Sequence, residues 1–439
     1  MNVLIIAIDT LRADHLGCYG YRRNTSPHLD RLAHEGVVFQ CFSPHIPTHP
    51  GYTTLFTGKD VMAHQIACQG GQVELDPEVK LLAEILRENG YFTAAADNLG
   101  RWFSRGFELY EGYQWEPDPK GAWRKGEAVT DTALRVLDQC VAQHKPWFAF
   151  VHYWDPHTPY LPPAPFDRMF YAGNERDPNN RSMDAVFAFE PFRYYFQQWL
   201  GGVTDINFPK AQYDAEIAYA DACLAHVFTR LAGHGVLEDT LVLITADHGE
   251  EMDEHEMWFD HHGLYDTNLR VPLILRCPAC LPRGKYVDGM VTLMDVAPTV
   301  LAFVGLEGEA ERARMLGSNL LPLALDDSRR GQGSTSTLFV TENTWMRKRG
   351  VRTREWKLIR ACEPDIHHRP PVELYHLPSD PGEQENLAAE RPEVVAELTE
   401  RLTDWVARRL AETGLPDPLE AQGITLRSVG KPAPAHQRL

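Results

Sequence analysis

Short apolar runs alternate with amphipathic stretches along most of this chain. The runs are continuous, rich in β-branched and aromatic residues, and typical of buried strands; they cover residues 2–8, 37–39, 91–96, 146–153, 240–245 and 271–275. Helical patterns separate them at residues 26–35, 79–89, 126–143 and 211–231. This alternation predicts an α/β fold with a large, mostly parallel, doubly wound sheet flanked by helices.

The pattern changes in the last quarter of the chain. A helix is predicted at 291–304 and a polar linker at 322–336, followed by short strands at 337–341, 349–354, 356–360 and 372–376 and a helix at 393–412. We therefore predict a catalytic domain over 1–325, a smaller C-terminal α+β subdomain with a short antiparallel sheet over 326–412, and a surface tail over 413–439.

An irregular, aromatic insertion at 166–209 interrupts the catalytic domain. It is either a helical excursion that packs its own side chains or a lid over a binding site.

Composition places the chain among globular proteins. Its 439 residues are 44% hydrophobic and 24% charged, with a formal net charge of −18. That charge disfavours nucleic acid or an anionic membrane surface as the main partner. The apolar start ends at Asp9 without a signal-peptide pattern, no run is long enough to span a bilayer, and the eight cysteines form no disulfide framework. We expect a cytoplasmic protein.

Polar side chains follow several of the predicted strands. Asp9 ends the first strand, Asp247 and His248 follow the strand at 240–245, and Thr48 lies in a turn bracketed by prolines and a glycine. Strand ends of open α/β sheets are where ligands bind. Thr48 is either a helix cap or a reactive hydroxyl.

Two carboxylates, one imidazole and one hydroxyl make an oxygen-rich site for a divalent ion. Such ligands favour Mg, Mn or Ca, while the histidine leaves Zn open. We expect one divalent ion, either Mn, Zn or Ca, bound by Asp9, Thr48, Asp247 and His248.

Longer motifs carry a resemblance to a known family. They are IDTLRADHLGCYG (8–20), DPHTPY (155–160), TADHGE (245–250), LYDTNLRVP (264–272), DVAPT (295–299) and ELYHLxxDPGExxNL (373–387). With these motifs the chain resembles the sulfatase branch of the alkaline phosphatase superfamily over nearly its whole length. The resemblance implies a metal at Asp9, Asp247 and His248, a substrate-facing or proton-donating His157, and an anion contact from His262 or His261. Asn98 falls where many sulfatases have a lysine that contacts sulfate.

The chain departs from that family at the nucleophile. Thr48 stands where sulfatases have the cysteine or serine that becomes formylglycine, and Tyr52 stands where they have an arginine. Threonine cannot become formylglycine. A threonine at this position resembles the threonine nucleophile of phosphoryl-transferring relatives such as phosphonoacetate hydrolases.

We therefore predict a hydrolase of phosphodiesters or phosphonate esters that forms a phospho-threonine intermediate. Thr48 is the expected nucleophile, His157 protonates the leaving group, and His262 neutralises the ester oxygens; Asn98, Tyr52, His261 and Arg12 are expected to bind substrate. His49 is expected to face solvent, and His152 to pack in its strand or support the site.

Two alternatives stay open: a sulfate-ester hydrolase that works without formylglycine, and a silent homologue that binds an anion. The expected partner is a small anionic ester, and we expect a homo-oligomer.

Overall fold

The apolar runs form strands of two sheets in a computed structural model that describes residues 1–71, 73–118, 121–329 and 331–424. The strands of the described residues are β1 (Asn2–Ile8), β2 (Val37–Phe42), β3 (His45–Ile46), β4 (Phe92–Ala96), β5 (Leu109–Glu111), β6 (Trp147–Tyr153), β7 (Thr240–Thr245), β8 (Arg270–Arg276), β9 (Lys285–Thr292), β10 (Leu338–Asn343), β11 (Arg347–Arg352), β12 (Trp356–Ala361) and β13 (Val372–His376).

Helices connect these strands. They are α1 (Pro27–His34), α2 (Thr48–Thr57), α3 (Val61–His64), α4 (Leu82–Glu88), α5 (Lys125–Ala142), α6 (Asp184–Ala188), α7 (Arg193–Leu200), α8 (Asn207–Gly233), α9 (Asp266–Leu269), α10 (Val296–Phe303), α11 (Glu307–Arg312), α12 (Leu321–Leu325), α13 (Pro392–Thr413) and α14 (Pro418–Ala421).

The larger sheet has eight strands in the order β5-β4-β6-β1-β7-β8-β2-β9. All neighbouring pairs are parallel except those of β8, which runs antiparallel to both β7 and β2. The predicted mostly parallel α/β sheet is confirmed. Helix α5 packs on β4 and β6, and α8 packs on α5 and α1.

The register of the central strands fixes where their ends meet. Ile8 of β1 lies opposite Tyr153 of β6, and Ala7 lies opposite Thr245 of β7. Continuing that register by two residues brings Asp9 level with Asp247. The two carboxylates therefore lie next to each other at the carboxyl ends of β1 and β7.

The smaller sheet has five strands in the order β13-β12-β11-β10-β3. Strands β10 to β13 pair with one another in antiparallel fashion, which confirms the predicted C-terminal antiparallel sheet. Strand β3 joins it from the catalytic part of the chain, with His45 opposite Thr341 in a parallel pairing. The residues just before Thr48 are thus held by the C-terminal subdomain.

Parts of the predicted fold were wrong. The helix predicted from residue 291 begins only at Val296, because residues 291 and 292 belong to the edge strand β9 and residues 293–295 form a 3-10 turn. A short apolar run does not distinguish strand from helix. The tail is not entirely on the surface, since Leu419 of α14 is completely buried. Residues 425–439 of that predicted tail lie outside the described part of the chain.

The aromatic insertion forms α6, α7 and the first residues of α8. Phe192 and Phe196 are buried there. Whether the segment opens as a lid stays a prediction. Among the described helices, none is long and apolar enough to cross a membrane.

Asp266 ties the C-terminal subdomain to the catalytic domain. Its carboxylate lies 2.6 Å from Arg352 Nη2 and 2.6 Å from Lys357 Nζ. Burial opposes ionisation of this carboxyl, but Arg352 and Lys357 hold its pKa well below the usual range. Because the folded-state pKa is depressed, the stabilisation is complete above the unfolded pKa of about 4 and is lost as the pH falls further.

We predict that Asp266→Asn lowers the free energy of unfolding by about 3 kcal/mol at pH 7, because the largely buried Arg352 loses its carboxylate partner and Lys357 keeps only Glu383. Urea denaturation measures this, and the difference from the wild type should narrow below about pH 4. The control Asp184→Asn, which removes an exposed pair with Arg181, should change stability by less than about 1 kcal/mol. An equal effect of both variants would contradict the assignment.

Candidate active site

Asp9, Asp247 and His248 converge at the carboxyl ends of β1 and β7. One ligand atom from each side chain lies within 4.8 Å of the others, and all three residues are completely buried. His248 Nδ1 lies 2.8 Å from the Gly249 carbonyl oxygen, to which it donates. The lone pair of His248 Nε2 is therefore directed to the other two side chains, as in a metal-binding imidazole.

These residues fit a divalent cation. Asp9 Oδ1 and Asp247 Oδ2 are buried and have no hydrogen-bond partner among the described residues. A buried carboxylate oxygen without a donor is costly, and a bound cation offsets that cost. The cluster could thus hold one metal ion, with an oxygen-rich ligand set that does not distinguish Mn, Zn and Ca.

Thr48 lies beside this cluster as the first residue of α2. Its Oγ1 is 3.2 Å from His248 Nε2, and the residue is buried. Pro47 occupies the N-cap position of α2, and no side chain caps the N-terminus of this helix. The interpretation of Thr48 as a helix cap is therefore wrong. Gly51 allows this approach, because a Cβ at that position would lie 2.8 Å from the Asp247 carbonyl oxygen.

A buried histidine supports the Asp9 carboxylate. His152 Nε2 lies 3.2 Å from Asp9 Oδ2, and His152 Nδ1 lies 2.9 Å from Asp97 Oδ1. Burial opposes protonation, but these two contacts raise the pKa of His152 to about 9. In the sequence, His152 stands out as a polar residue inside the apolar strand β6. Asp97 follows the end of β4 in the same way as Asp9 follows the end of β1.

Two further histidines line the exposed side of the cluster. The His261 ring stacks on His248 with centroids 4.6 Å apart, and it lies 4.9 Å from the His157 ring. Both rings are partly exposed, in contrast to the buried cluster. His157 Nδ1 lies 2.7 Å from the Thr158 carbonyl oxygen, so His157 Nε2 is the nitrogen left to meet a ligand.

The two rings differ in charge. Burial lowers the pKa of His157 to about 4. Burial also opposes protonation of His261, but Asp260 and Glu250 raise its pKa to about 10. The positive charge of this pair therefore sits on His261 at neutral pH.

His262 has different neighbours from those expected of an ester-binding residue. Its Nε2 lies 2.6 Å from His367 Nε2 in the C-terminal subdomain, and its ring stacks on Phe192 with centroids 5.6 Å apart. Of the adjacent histidines, His261 and not His262 contacts the metal-site cluster. The anion contact predicted for either residue therefore fits His261 better.

The other predicted substrate contacts are engaged elsewhere. Asn98 binds the Tyr113 backbone through both its amide nitrogen and its oxygen, at 2.8 Å and 3.0 Å. The Arg12 guanidinium pairs with Asp14 at 2.8 Å and with Glu254 at 2.6 Å. Neither side chain has a polar group directed to Thr48 in these contacts, and their substrate roles stay predictions.

Tyr52 lies in the interior, one helical turn after Thr48. Its ring is edge-on to His152 at 5.1 Å, and its hydroxyl is buried without a partner among the described residues. Burial and the nearby Asp247 and Asp9 raise the pKa of Tyr52 well above its usual value. A phenol thus occupies the position at which the family resemblance implies an arginine, and it brings no positive charge to the site.

The aromatic insertion reaches the loops that carry the exposed histidines. Tyr195 and Thr158 share a hydrogen bond of 2.9 Å between their hydroxyls, and Phe189 stacks on His367 at 4.4 Å. The insertion therefore packs against Thr158, next to His157, and against His367; its role as a lid stays a prediction.

The fold and site are those of a hydrolase of the alkaline phosphatase superfamily, with a side-chain cluster that could hold a divalent ion. The family model described as Sulfatase matches residues 1–306, and one described as N-sulphoglucosamine sulphohydrolase, C-terminal, matches residues 253–408. The chain belongs to the sulfatase family. It is therefore an ester hydrolase.

Its relatives include both sulfur-ester and phosphorus-ester enzymes. An N-acetylglucosamine-6-O-sulfatase from Bacteroides thetaiotaomicron is 23% identical over an alignment of 473 positions, gaps included. The alignment covers 88% of this chain and 82% of that protein. The multifunctional alkaline phosphatase superfamily protein PehA from Trinickia caryophylli is 28% identical over 400 residues, covering 73% of this chain and 76% of that protein. The phosphonate monoester hydrolase of Agrobacterium radiobacter superposes with a TM-score of 0.71 at 23% identity, covering 93% of this chain and 96% of that one.

We predict that the protein binds one divalent ion per chain and that Asp247→Asn abolishes binding, because the substitution removes one of two carboxylates in the cluster. Calorimetric titration of chelator-treated protein with Mn, Zn and Ca measures this. At 100 times the Kd, the ion should stabilise the wild type by about 2.7 kcal/mol. The control Asp221→Asn removes a buried aspartate that instead accepts the backbone N–H groups of His28 and Leu29. Unchanged binding by Asp247→Asn would exclude the assigned cluster.

Proposed function

We propose that the protein hydrolyses phosphodiesters or phosphonate esters through a covalent intermediate on Thr48. One observation carries this proposal: the Thr48 hydroxyl lies 3.2 Å from His248 Nε2, beside the metal-site cluster. A threonine there cannot be oxidised to formylglycine, so the hydroxyl itself is the group available for attack.

Asp9, Asp247, His248 and Thr48 would hold the divalent ion in this proposal. When bound, such an ion lowers the pKa of a coordinated hydroxyl and neutralises charge on the ester oxygens. The substrate is a small anionic ester.

The protein residues supply orientation, charge and proton transfer. Helix α2 presents the Thr48 hydroxyl at its N-terminus, where backbone N–H groups also favour an anion. Asp9 is fixed by His152, which in turn is fixed by Asp97. His261 brings a positive charge to the exposed side of the cluster.

The reaction is a double displacement. The Thr48 oxygen forms a bond to phosphorus as the bond to the leaving-group oxygen breaks. The Thr48 proton passes to solvent, and the leaving group gains a second proton from the protein. His261, which is positively charged at neutral pH, is the source of that second proton. His157 is neutral, and its Nε2 carries no hydrogen and has no protein partner among the described residues, so it can relay the proton but does not supply it. Water then attacks phosphorus, releases the product and restores the Thr48 hydroxyl.

Sulfate-ester hydrolysis is the second candidate. The Sulfatase match over residues 1–306 and the N-acetylglucosamine-6-O-sulfatase relative favour it. A sulfated threonine lacks the carbonyl-releasing breakdown open to a formylglycine hemiacetal, so this activity is expected to be slow.

We predict that Thr48→Ala lowers kcat for an aryl phosphodiester and for an aryl phosphonate monoester by at least about 10³-fold, because the covalent step is lost. Thr48→Ser, which keeps the hydroxyl, should retain most of the rate. Steady-state assays with Mn, Zn or Ca check this, with an aryl sulfate as the comparison substrate. Intact turnover in Thr48→Ala would refute the mechanism, faster sulfate cleavage would favour the second candidate, and metal binding without turnover would favour a silent anion-binding protein.

We also predict that His157→Ala and His261→Ala slow esters with alkyl leaving groups more than those with a 4-nitrophenyl leaving group. A poor leaving group needs the proton, whereas 4-nitrophenolate departs without it. The leaving-group dependence of kcat/KM for each variant is the measurement. Equal losses for both classes of ester would show that these rings do not take part in proton transfer.

A further inference from the structure

His49 is held at the start of α2 in a way that the sequence did not indicate. The residue is only 7% exposed, so the expected contact with solvent is wrong. Its ring packs against Trp102 at 5.4 Å and Phe103 at 5.8 Å, between the nucleophile turn and the loop that follows β4.

Two donors converge on one nitrogen of this ring. The Gly70 backbone N–H lies 3.3 Å from His49 Nδ1, and Arg101 Nη1 lies 3.4 Å from the same atom. A ring nitrogen that accepts from N–H groups carries no hydrogen, so the ring's proton is on Nε2. The other guanidinium contacts of Arg101 are to Glu74 and to the carbonyls of Gly71 and Val73, which hold the guanidinium in place.

The backbone of His49 is fixed as well. Its N–H donates to Gln69 Oε1 over 2.9 Å. The 69–71 segment, Arg101 and the rings of Trp102 and Phe103 therefore leave the imidazole little freedom to turn. A donor whose position is set before the substrate arrives loses little entropy on binding it.

His49 Nε2 is the second nitrogen of the ring. No hydrogen-bond partner for it is found in the part of the chain that the structure describes. It points away from the Gly70 and Arg101 side of the ring, and the ring is near enough to Asp9 for that charge to act on it. An oxygen of an ester bound at Thr48, the adjacent residue, would come within reach of this N–H.

We propose that His49 is a catalytic residue whose Nε2–H donates a hydrogen bond to one non-bridging oxygen of the ester, with Arg101 as the positioning residue that fixes the tautomer. This rests on the proposed function, since it presumes an ester held at Thr48. The residues predicted for oxygen contacts leave such a role open, because Asn98 binds the Tyr113 backbone and Tyr52 is buried. Selectivity for one of the two non-bridging oxygens follows, because His49 approaches from one side.

The test compares His49→Ala and His49→Gln on ethyl 4-nitrophenyl phosphate and on the two stereoisomers of its phosphorothioate. Loss of one preorganised donor should lower kcat/KM for the oxygen ester by about 10²-fold in His49→Ala. His49→Gln should recover most of the loss, because its amide can accept at one end and donate at the other. The ratio of rates for the two stereoisomers should change by about tenfold in His49→Ala, the equivalent of one neutral hydrogen bond. His34→Ala, an exposed histidine at the end of α1, is the control and should change neither quantity.

A second readout does not depend on turnover. Nitrogen-15 spectra of histidine-labelled protein should show His49 protonated at Nε2 and unprotonated at Nδ1, and Arg101→Met should convert this into a mixture of tautomers. A proton on Nδ1 in the native protein would overturn the proposal even if His49→Ala does not fold.

The outcomes separate this inference from the function on which it rests. If Thr48→Ala is inactive while His49→Ala keeps both the wild-type rate and the stereoisomer ratio, the role of His49 is refuted and the proposed function stands. If Thr48→Ala remains active, the proposed function fails, whatever His49 does. A lower rate in His49→Ala with an unchanged stereoisomer ratio would mean a structural role and would also overturn the proposal.

Discussion

Two neighbouring buried aspartates, each with one carboxylate oxygen that lacks a hydrogen-bond donor among the described residues, are the constraint on which this structure depends. The register of β1 and β7 places Asp9 and Asp247 side by side, and each has an oxygen that no described residue satisfies. Like charges in an apolar interior repel each other strongly. His152 lies beside Asp9 and His248 lies beside Asp247. The ligand atoms of Asp9, Asp247 and His248 lie within 4.8 Å of one another, so they could also hold a divalent cation that offsets the repulsion.

Thr48, the proposed nucleophile, is positioned by contacts with the same cluster. Helix α2 approaches the Asp247 backbone closely because residue 51 is glycine, and that approach brings Thr48 to His248. Strand β3, immediately before the helix, pairs with β10 of the C-terminal subdomain. The smaller sheet therefore anchors the turn that carries Thr48.

Sequence patterns predicted the strands whose ends carry the site, and β1, β7 and β13 have the predicted bounds. Fully buried strands leave a continuous apolar run, which is a local signal. The direction of β8, the pairing of β3 and the edge strand β9 depend on long-range hydrogen bonds that no local pattern records. The histidines show the same limit. Motifs indicated that His157, His261 and His262 matter, but only packing distinguishes His261, on the cluster, from His262, which contacts His367. His49 was misjudged because its partners Gly70 and Arg101 are distant in sequence.

The central claim is that Thr48, and not a water molecule, makes the first attack on phosphorus. The most direct measurement is the stereochemical course at phosphorus when a chiral phosphorothioate diester is hydrolysed in oxygen-18 water. Two successive in-line displacements, one by Thr48 and one by water, invert the centre twice, so the account predicts net retention of configuration. Net inversion would show a single direct attack by water and would contradict it.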